Sequence, residues 1–183
     1  MFDWRWDFVI EIMPRLLGAT LNTLMAAGVG YGIALVLGLI FALAQRTPYR
    51  ALTWMVREIV EFIRSTPLVL QIFFVFFVGP QFGIRLSPWT SGMIAIGLHY
   101  AAYLSEVYRG GLDAVPRGQW EACRALNLST GRTYFRIIIP QALPASLPGM
   151  GNYLVGIFKD TPMLSVIGVA ELMHTANAVG SET

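Results

Sequence analysis

The sequence reads EACRALNLSTGRTYFRIIIP from residue 121 to residue 140, and this stretch is polar and basic. It stands among long runs of residues that are too apolar for a soluble surface. Four such runs contain no Asp, Glu, Lys or Arg, and they cover residues 16–45, 65–84, 86–105 and 137–158. A helix needs roughly 20 residues to cross the hydrocarbon of a bilayer. The sequence therefore predicts an all-α polytopic membrane protein with about four crossings, built around one polar loop.

The composition agrees with a membrane protein and argues against several other classes. Of the 183 residues, 55% are hydrophobic and only 13% are charged, and the mean hydropathy is +0.58. The net charge of +2 is too small to indicate a nucleic-acid partner. The single cysteine, Cys123, excludes an intramolecular disulfide and indicates no metal cage.

The distribution of arginine predicts the orientation in the membrane. Nine of the thirteen Lys and Arg residues fall within residues 46–64 and 109–136, two connections on the same side of the predicted crossings. Three arginines lie on the opposite side, namely Arg5, Arg15 and Arg85. Because cytoplasmic loops are enriched in Lys and Arg, both clusters are expected in the cytoplasm and the N-terminus outside.

The ends of the first two crossings carry local signals. Residues 2–13, FDWRWDFVIEIM, mix aromatic and charged residues and predict an interfacial helix, after which Pro14 is expected to open the next helix. Residues 51–63 have apolar side chains every three or four positions, which predicts an amphipathic helix leading into the second crossing. Ser65 or Thr66 is expected to cap the helix that follows.

Several polar residues fall within or just after the third and fourth runs. We interpret His99 as a packed, hydrogen-bonded imidazole, because no second His or carboxylate lies within one turn, and a proton relay is the alternative. Glu106 and Arg109 are spaced i, i+3 and are expected to pair. Lys159 and Asp160 are expected at membrane depth, where they either hold helices together as a pair or face a wet cavity.

The order of residues around the polar loop resembles the coupling loop of ABC-importer permease subunits. In that family Glu-Ala-Ala is followed three residues further by Gly and, after nine more residues, by Ile-x-Leu-Pro. The corresponding residues here are Glu121-Ala122-Cys123, Asn127 and Ile137-x-Ile139-Pro140. Two positions depart from the pattern. Asn127 replaces the Gly, but Asn is the next most tolerant of the left-handed conformation that ends a helix, and Cys123 is still small.

Three further strings, in the same order, resemble polar amino acid permeases of ABC importers. They are Arg64-Ser-Thr-Pro-Leu68, Tyr103-x-x-Glu106-x-x-Arg109-Gly110-Gly111, and Lys159-Asp-Thr161 with Pro162 in place of the family's Ser. The resemblance implies a single type I importer transmembrane domain over residues 1–183, with its coupling loop at about 112–140. It is greatest to permeases for ectoine and hydroxyectoine. The family carries one more crossing, so a fifth is expected beyond the four found here.

The resemblance also implies partners and site residues. The chain is expected to work with an ABC ATPase dimer, a second permease subunit and an extracytoplasmic solute-binding protein in the bacterial inner membrane. It has no Gly-x-x-x-x-Gly-Lys-Ser/Thr loop, so ATP and Mg²⁺ are expected on the ATPase, and no cofactor, metal or catalytic residue on this chain. The residues expected to couple to the ATPase are Gly118, Glu121, Ala122, Cys123, Arg124, Ala125, Asn127 and Pro140.

Two other classes of protein are alternatives to the importer, a channel or accessory subunit and an intramembrane enzyme. A passive channel or accessory membrane subunit would have similar crossings but would not need a docking helix of this pattern. An intramembrane enzyme would need catalytic groups, and the sequence has neither HExxH nor Gly-x-Ser-x-Gly. The importer is therefore the preferred interpretation, with a channel or assembly subunit as the alternative.

The solute path is expected to involve three helix regions to which the family resemblance also points. Its residues are Pro67, Leu68, Tyr103, Phe158, Lys159 and Asp160. If these regions converge, they bring an aromatic face, a carboxylate and an ammonium together, which suits a zwitterionic solute. A discontinuous helix also frees backbone groups for a polar solute. The alternative is a featureless path, with selectivity residing in the binding protein.

Overall fold

The computed structural model describes residues 5–181, and all regular structure in that range is helical, as predicted. The four long helices are α1 (Trp6–Ala44), α2 (Arg50–Ser65), α4 (Pro88–Asp113) and α7 (Ile139–Asp160). The four short ones are α3 (Leu68–Phe73), α5 (Arg117–Ala125), α6 (Thr130–Arg132) and α8 (Leu172–Ser181). π-Helical turns at Phe74–Val78 and Thr133–Ile138 follow α3 and α6, and 3-10 turns lie at Gly79–Phe82 and Thr161–Ile167.

Helix α1 runs without interruption through Pro14. The expectation that Pro14 would separate an interfacial helix from the first crossing is therefore wrong, and residues 2–4 of that predicted helix lie outside the described residues. A proline lacks the N–H donor and so removes one backbone hydrogen bond. The residues on either side are mostly good helix formers, and the helix continues with that bond missing.

The break between α2 and α3 is made by extended backbone at two residues. Thr66 has φ −101° and ψ 131°, and Pro67 has φ −57° and ψ 137°. The hydroxyls of Ser65 and Thr66 donate backwards to the carbonyls of Glu61 and Phe62, at 2.6 and 2.7 Å. Neither side chain caps α3, so the prediction of a Ser65 or Thr66 cap is wrong; both hydroxyls satisfy the end of α2 instead.

By length and apolar composition, α1 alone among the described helices qualifies as a membrane span. Two bent pairs qualify when each is taken as one broken span, Arg50–Ser65 with Leu68–Phe82 and Thr130–Ile167 with Leu172–Ser181. The predicted third crossing corresponds to α4, whose 26 residues are long enough. Polar residues along α4, such as His99 and Glu106, keep it from qualifying on composition. By composition, the described helices therefore contain at most three membrane spans, whereas the sequence predicted four.

The chain packs as two compact units. The first consists of the chain as far as Gly32, Pro67–Gly97, and the chain from Gly156 onward. The second consists of Ile33–Thr66 and Leu98–Val155. Helices α1, α4 and α7 each contribute residues to both units.

Polar side chains hold the C-terminal segment to α1 in the first unit. The amide of Asn22 donates to the carbonyl of Ala170 at 2.9 Å, and the hydroxyl of Thr23 accepts from the N–H of Leu172 at 3.1 Å. Glu171 is 1% exposed, and its carboxylate accepts the N–H groups of Met173 and His174 at 3.0 and 2.6 Å. Glu171 is therefore the N-cap of α8, satisfying donors that the helix itself leaves unpaired.

Small residues allow close helix contacts in the second unit. A β-carbon at Gly38 would lie 3.0 Å from the Ala101 carbonyl oxygen. One at Gly111 would overlap the Ser146 hydroxyl and lie 2.8 Å from the Ala142 carbonyl oxygen. Glycine at these positions thus lets α4 approach α1 and α7 closely.

Helix α5 ends in a well-defined turn at Asn127. Asn127 has φ 50°, the one positive φ of a non-glycine residue in the described chain. Its N–H donates to Arg124, and the N–H of Leu128 donates to Cys123, both at 3.0 Å. This pair of bonds is the Schellman motif, which satisfies the last carbonyls of a helix and needs a left-handed residue. The left-handed conformation expected of Asn127 in place of a family glycine is confirmed.

Gly111→Ala should lower the free energy of unfolding by about 1–3 kcal/mol, because the added methyl overpacks the contact of α4 with α7. The matched control is Gly110→Ala, where a β-carbon meets nothing within 4 Å. The control should leave stability unchanged or raise it slightly, since Ala is the better helix former. Denaturant unfolding in detergent measures both, and equal stability of the two variants would contradict the packing described here.

Asn127→Val should weaken the end of α5 by about 1–2 kcal/mol, because a β-branched residue is strained at positive φ. Asn127→Gly should be nearly neutral. Hydrogen exchange of the amides of residues 127 and 128 reports this directly. We expect roughly tenfold faster exchange in the valine variant only, and equal protection in both variants would argue against a left-handed residue 127.

Candidate functional site

Helix α5 carries six of the eight residues predicted to couple to the ATPase, and Asn127 and Pro140 follow it. It spans Arg117–Ala125. Most of the predicted coupling residues are exposed: Gly118, Glu121, Ala122, Arg124, Ala125, Asn127 and Pro140. Two large apolar side chains add to this surface, since Leu126 is 71% and Phe135 72% exposed. We call these exposed residues the coupling surface.

Cys123 does not belong to the coupling surface. Its side chain is only 2% exposed and faces the interior of its own subunit. The expectation that Cys123 contacts the ATPase is therefore corrected. Its backbone carbonyl accepts the Schellman hydrogen bond from the N–H of Leu128, so Cys123 helps to define the end of α5.

Trp120 anchors α5, and sequence reasoning missed it. Its ring meets that of Tyr134 edge-on, with centroids 5.4 Å apart and planes at 78°. Both rings pack against a buried cluster formed by Leu112, Val115, Ile138 and Ala142. The guanidinium carbon of Arg46 lies 5.7 Å from the centroid of Trp120, a cation–π contact. In the sequence, the one signal for this anchoring role was a tryptophan within a short polar helix.

Alternating charges connect Arg46 to the end of α4. Arg46 contacts Asp113 at 2.6 Å, Asp113 contacts Arg109 at 3.4 Å, and Arg109 contacts Glu106 at 2.6 Å. The predicted pair of Glu106 and Arg109 is thus confirmed. A carboxylate at a helix C-terminus is destabilised by the negative end of the helix dipole. The two arginines that contact Asp113 offset this unfavourable interaction.

A cavity of about 750 Å³ adjoins α5 on the side of Trp120. Its lining residues are Arg46, Leu112, Asp113, Val115, Arg117, Trp120, Glu121 and Arg124. Neither Arg117 nor Arg124 has an ion pair with another described residue. The cavity therefore presents two free cationic side chains next to the coupling surface.

Five of the six predicted path residues lie in the first unit. Pro67 precedes α3, and Leu68 at its start is buried. Phe158 and Lys159 are exposed and Asp160 is half-buried at the end of α7, where the 3-10 turn Thr161–Ile167 begins. That turn packs against α3. The structure thus brings the segment that follows Asp160 next to the helix that Pro67 opens.

Tyr103, the sixth predicted path residue, belongs to the second unit. Its hydroxyl donates to the Arg64 carbonyl at 3.1 Å, and the Arg64 guanidinium carbon lies 5.4 Å from its ring centroid. The Tyr103 ring contacts His99 and Tyr153, with centroids 5.1 and 5.5 Å away. His99 is 9% exposed in this aromatic cluster, in agreement with a packed imidazole.

No group of three or more His, Cys, Asp or Glu residues in the described part of the chain could hold a metal ion.

The sequence matches the family described as "Binding-protein-dependent transport system inner membrane component" over residues 34–179. A probable amino-acid ABC transporter permease protein, y4tG of Sinorhizobium fredii, is 42% identical over 100% of this chain and 82% of its own length. The L-cystine transport system permease protein TcyB of Bacillus subtilis is 37% identical over 96% of this chain and 76% of its own. The nopaline transport system permease protein NocM of Agrobacterium fabrum is 35% identical over 97% and 78%.

Solved structures give the same result. An amino acid ABC transporter crystallised with histidines has a chain that superposes with a TM-score of 0.87 at 29% identity, covering 98% of this chain and 84% of that one. The inward-facing MetNI methionine ABC transporter matches with a TM-score of 0.79 at 19% identity, over 94% and 85% of the two chains, and this likeness concerns the fold alone. The chain has the all-α transmembrane fold of type I ABC importers, and it belongs to the family of binding-protein-dependent transport system inner membrane components.

Proposed function

We propose that this chain is the permease subunit of an ATP-driven ABC importer for polar amino acids or compatible solutes such as ectoine and hydroxyectoine. The observation that carries the proposal is α5, a short exposed helix anchored by Trp120 and ended by the turn at Asn127. The names of the relatives mention amino acids, L-cystine and nopaline. Ectoine and hydroxyectoine are proposed from the sequence resemblance alone.

In this proposal a separate ATPase dimer binds ATP and Mg²⁺ and is the motor. A second permease subunit completes the path, and an extracytoplasmic binding protein delivers the solute. ATP can drive alternating access only through contacts that differ between the inward and outward states. Glu121, Ala122 and Arg124 supply those contacts, with Ala122 and Ala125 small enough for the ATPase to approach closely.

The orientation follows from the arginines. Placing the coupling surface in the cytoplasm puts residues 46–64 and 109–136, with nine of the thirteen basic residues, on the cytoplasmic side. The N-terminus is then outside.

The path is proposed to run past Pro67 and Asp160, with Leu68, Phe158 and Lys159 next to them in sequence, while Tyr103 remains an expectation from the sequence resemblance. The interruption of helix at both Pro67 and Asp160 supports it, because backbone groups released at helix ends can bind a polar solute. A carboxylate and an ammonium at positions 160 and 159 suit the two ends of a zwitterion.

Glu121→Lys should reduce ATP-dependent uptake at least about tenfold, the size of a typical coupling free energy, because it reverses a charge at the docking contact. The complex is reconstituted in proteoliposomes, and both uptake and ATP hydrolysis are measured. Glu58→Lys is the matched control, since Glu58 is exposed on α2 and is not one of the residues of the coupling surface. The control should transport normally, and normal uptake by the Glu121 variant would refute the docking role.

Asp160→Asn should slow uptake or change the preference among solutes, because it removes charge and keeps size. Association with the ATPase, measured by co-purification, should stay unchanged. Asp7→Asn makes the same chemical change at an exposed residue in the first turn of α1 and serves as the control. Unchanged uptake of every solute tested would leave Asp160 with a structural role only.

A further inference from the structure

An apolar groove of about 140 Å³ lies between helices α1, α4 and α7 in the second unit. Its lining side chains include Leu39 and Leu43 of α1, Tyr108 and Leu112 of α4, and Ile139 and Leu143 of α7. The Tyr108 hydroxyl donates to the Leu35 carbonyl at 3.3 Å. The hydroxyl of Ser146, also in the lining, donates to the Ala142 carbonyl at 3.1 Å. With both hydroxyls bonded, the groove offers apolar surface, and Leu143 on its rim is 43% exposed.

The apolar groove continues into the cavity of about 750 Å³ beside α5. Leu112 lines both of them. On α1, Leu39 and Leu43 line the groove, and Arg46, one turn further, lines the cavity. The N–H of Arg46 donates to the Leu43 carbonyl at 3.0 Å, so this turn is helical. The groove and the cavity therefore follow one another along α1 and along α4.

The boundary between the groove and the cavity falls where α1 leaves the apolar part of the sequence. Residues 16–45 contain no charged side chain, and Arg46 is the first one after them. In the orientation proposed above, this is the cytoplasmic end of the crossing. Trp120, whose ring Arg46 contacts, is of a residue type enriched at the membrane interface. The groove thus lies at the depth of acyl chains, and the cavity at the depth of headgroups.

The cavity has an excess of positive charge. Three arginines and two carboxylates line it. Asp113 is already paired with two arginines. Arg117 and Arg124 have no ion pair with another described residue, and in the lining only Glu121 is left to oppose them. Arginine binds phosphate through paired hydrogen bonds, and basic pockets between membrane helices on the cytoplasmic side bind the headgroups of anionic lipids.

We propose that the groove and the cavity together bind one anionic phospholipid of the cytoplasmic leaflet, an inference that rests on the orientation given under the proposed function. Its phosphate lies at Arg117, and an acyl chain lies in the groove against Leu43 and Leu143. An acidic side chain of the ATPase would fill the cavity and leave the groove empty. A helix of a second permease would fill the groove and leave Arg117 unpaired. A phospholipid supplies both the anion and the apolar chain.

The test titrates the purified permease–ATPase complex with phosphatidylglycerol or with phosphatidylcholine of the same acyl chains, and native mass spectrometry counts the bound lipid. The wild type should bind phosphatidylglycerol about fivefold more tightly, the contribution of one arginine near an anionic headgroup. Arg117→Ala should remove this preference. Arg132→Ala is the matched control, since Arg132 is exposed in the same loop and lines neither the groove nor the cavity, and it should keep the preference.

A second variant tests the acyl chain. Leu143→Trp fills the groove from its exposed rim and should weaken binding of both lipids roughly tenfold, the effect of displacing about two buried CH₂ groups. Leu17→Trp is its control, because Leu17 is exposed on α1 in the first unit, and it should bind both lipids like the wild type. Dihexanoyl phosphatidylglycerol tests the groove without any substitution, and it should bind the wild type more weakly than the long-chain lipid.

Three results would overturn the proposal. Equal affinity of the wild type for the two headgroups, or an unchanged preference in Arg117→Ala, would remove the phosphate from the cavity. Equal affinity of the wild type for short-chain and long-chain phosphatidylglycerol would remove the acyl chain from the groove, whether or not Leu143→Trp folds. The experiment contains neither ATP nor solute, so a failure of lipid binding and a failure of importer function in uptake assays can be told apart.

Discussion

The contact of Arg46 with both Asp113 and Trp120 is the interaction on which the coupling region depends. Arg46 follows α1, Asp113 ends α4 and Trp120 lies in α5, so one guanidinium connects the end of α1 with two helices that are far from it in sequence. The Trp120 ring is also held edge-on by Tyr134. Arg46 therefore links α5 directly to α4 and to the segment that follows α1.

The ion pairs around Arg46 are individually weak. The ion pairs of Arg46, Asp113 and Arg109 are all partly exposed, and exposed pairs contribute about 0–1 kcal/mol each. Arg109 is shared between Glu106 and Asp113, and Asp113 between Arg109 and Arg46, so a displacement of one group changes the partners of the next. By contrast, the apolar cluster under Trp120 resists separation.

Local chemistry was predictable from the sequence, whereas distant partners were not. The left-handed turn at Asn127 and the pair of Glu106 with Arg109 depend on residues a few positions apart, and both were foreseen. Trp120 was missed because its cation lies 74 positions earlier, at Arg46. The prediction of a cap at Thr66 was wrong because a hydroxyl can also donate to a carbonyl of the preceding helix, as Thr66 does to Phe62. Which of the two bonds forms depends on the backbone conformation. Pro14 did not end α1 because its neighbours keep the helix intact with one backbone hydrogen bond missing.

The buried thiol of Cys123 has a practical consequence. It is the single cysteine of the chain and is 2% exposed, so water-soluble maleimides have little access to it in the folded protein. Spectroscopic probes can therefore be attached at cysteines introduced elsewhere without first removing the natural one. Distances from α5 to other helices can then be followed through the transport cycle. Because Cys123 is not replaced, the turn that ends α5 is unchanged in the labelled protein.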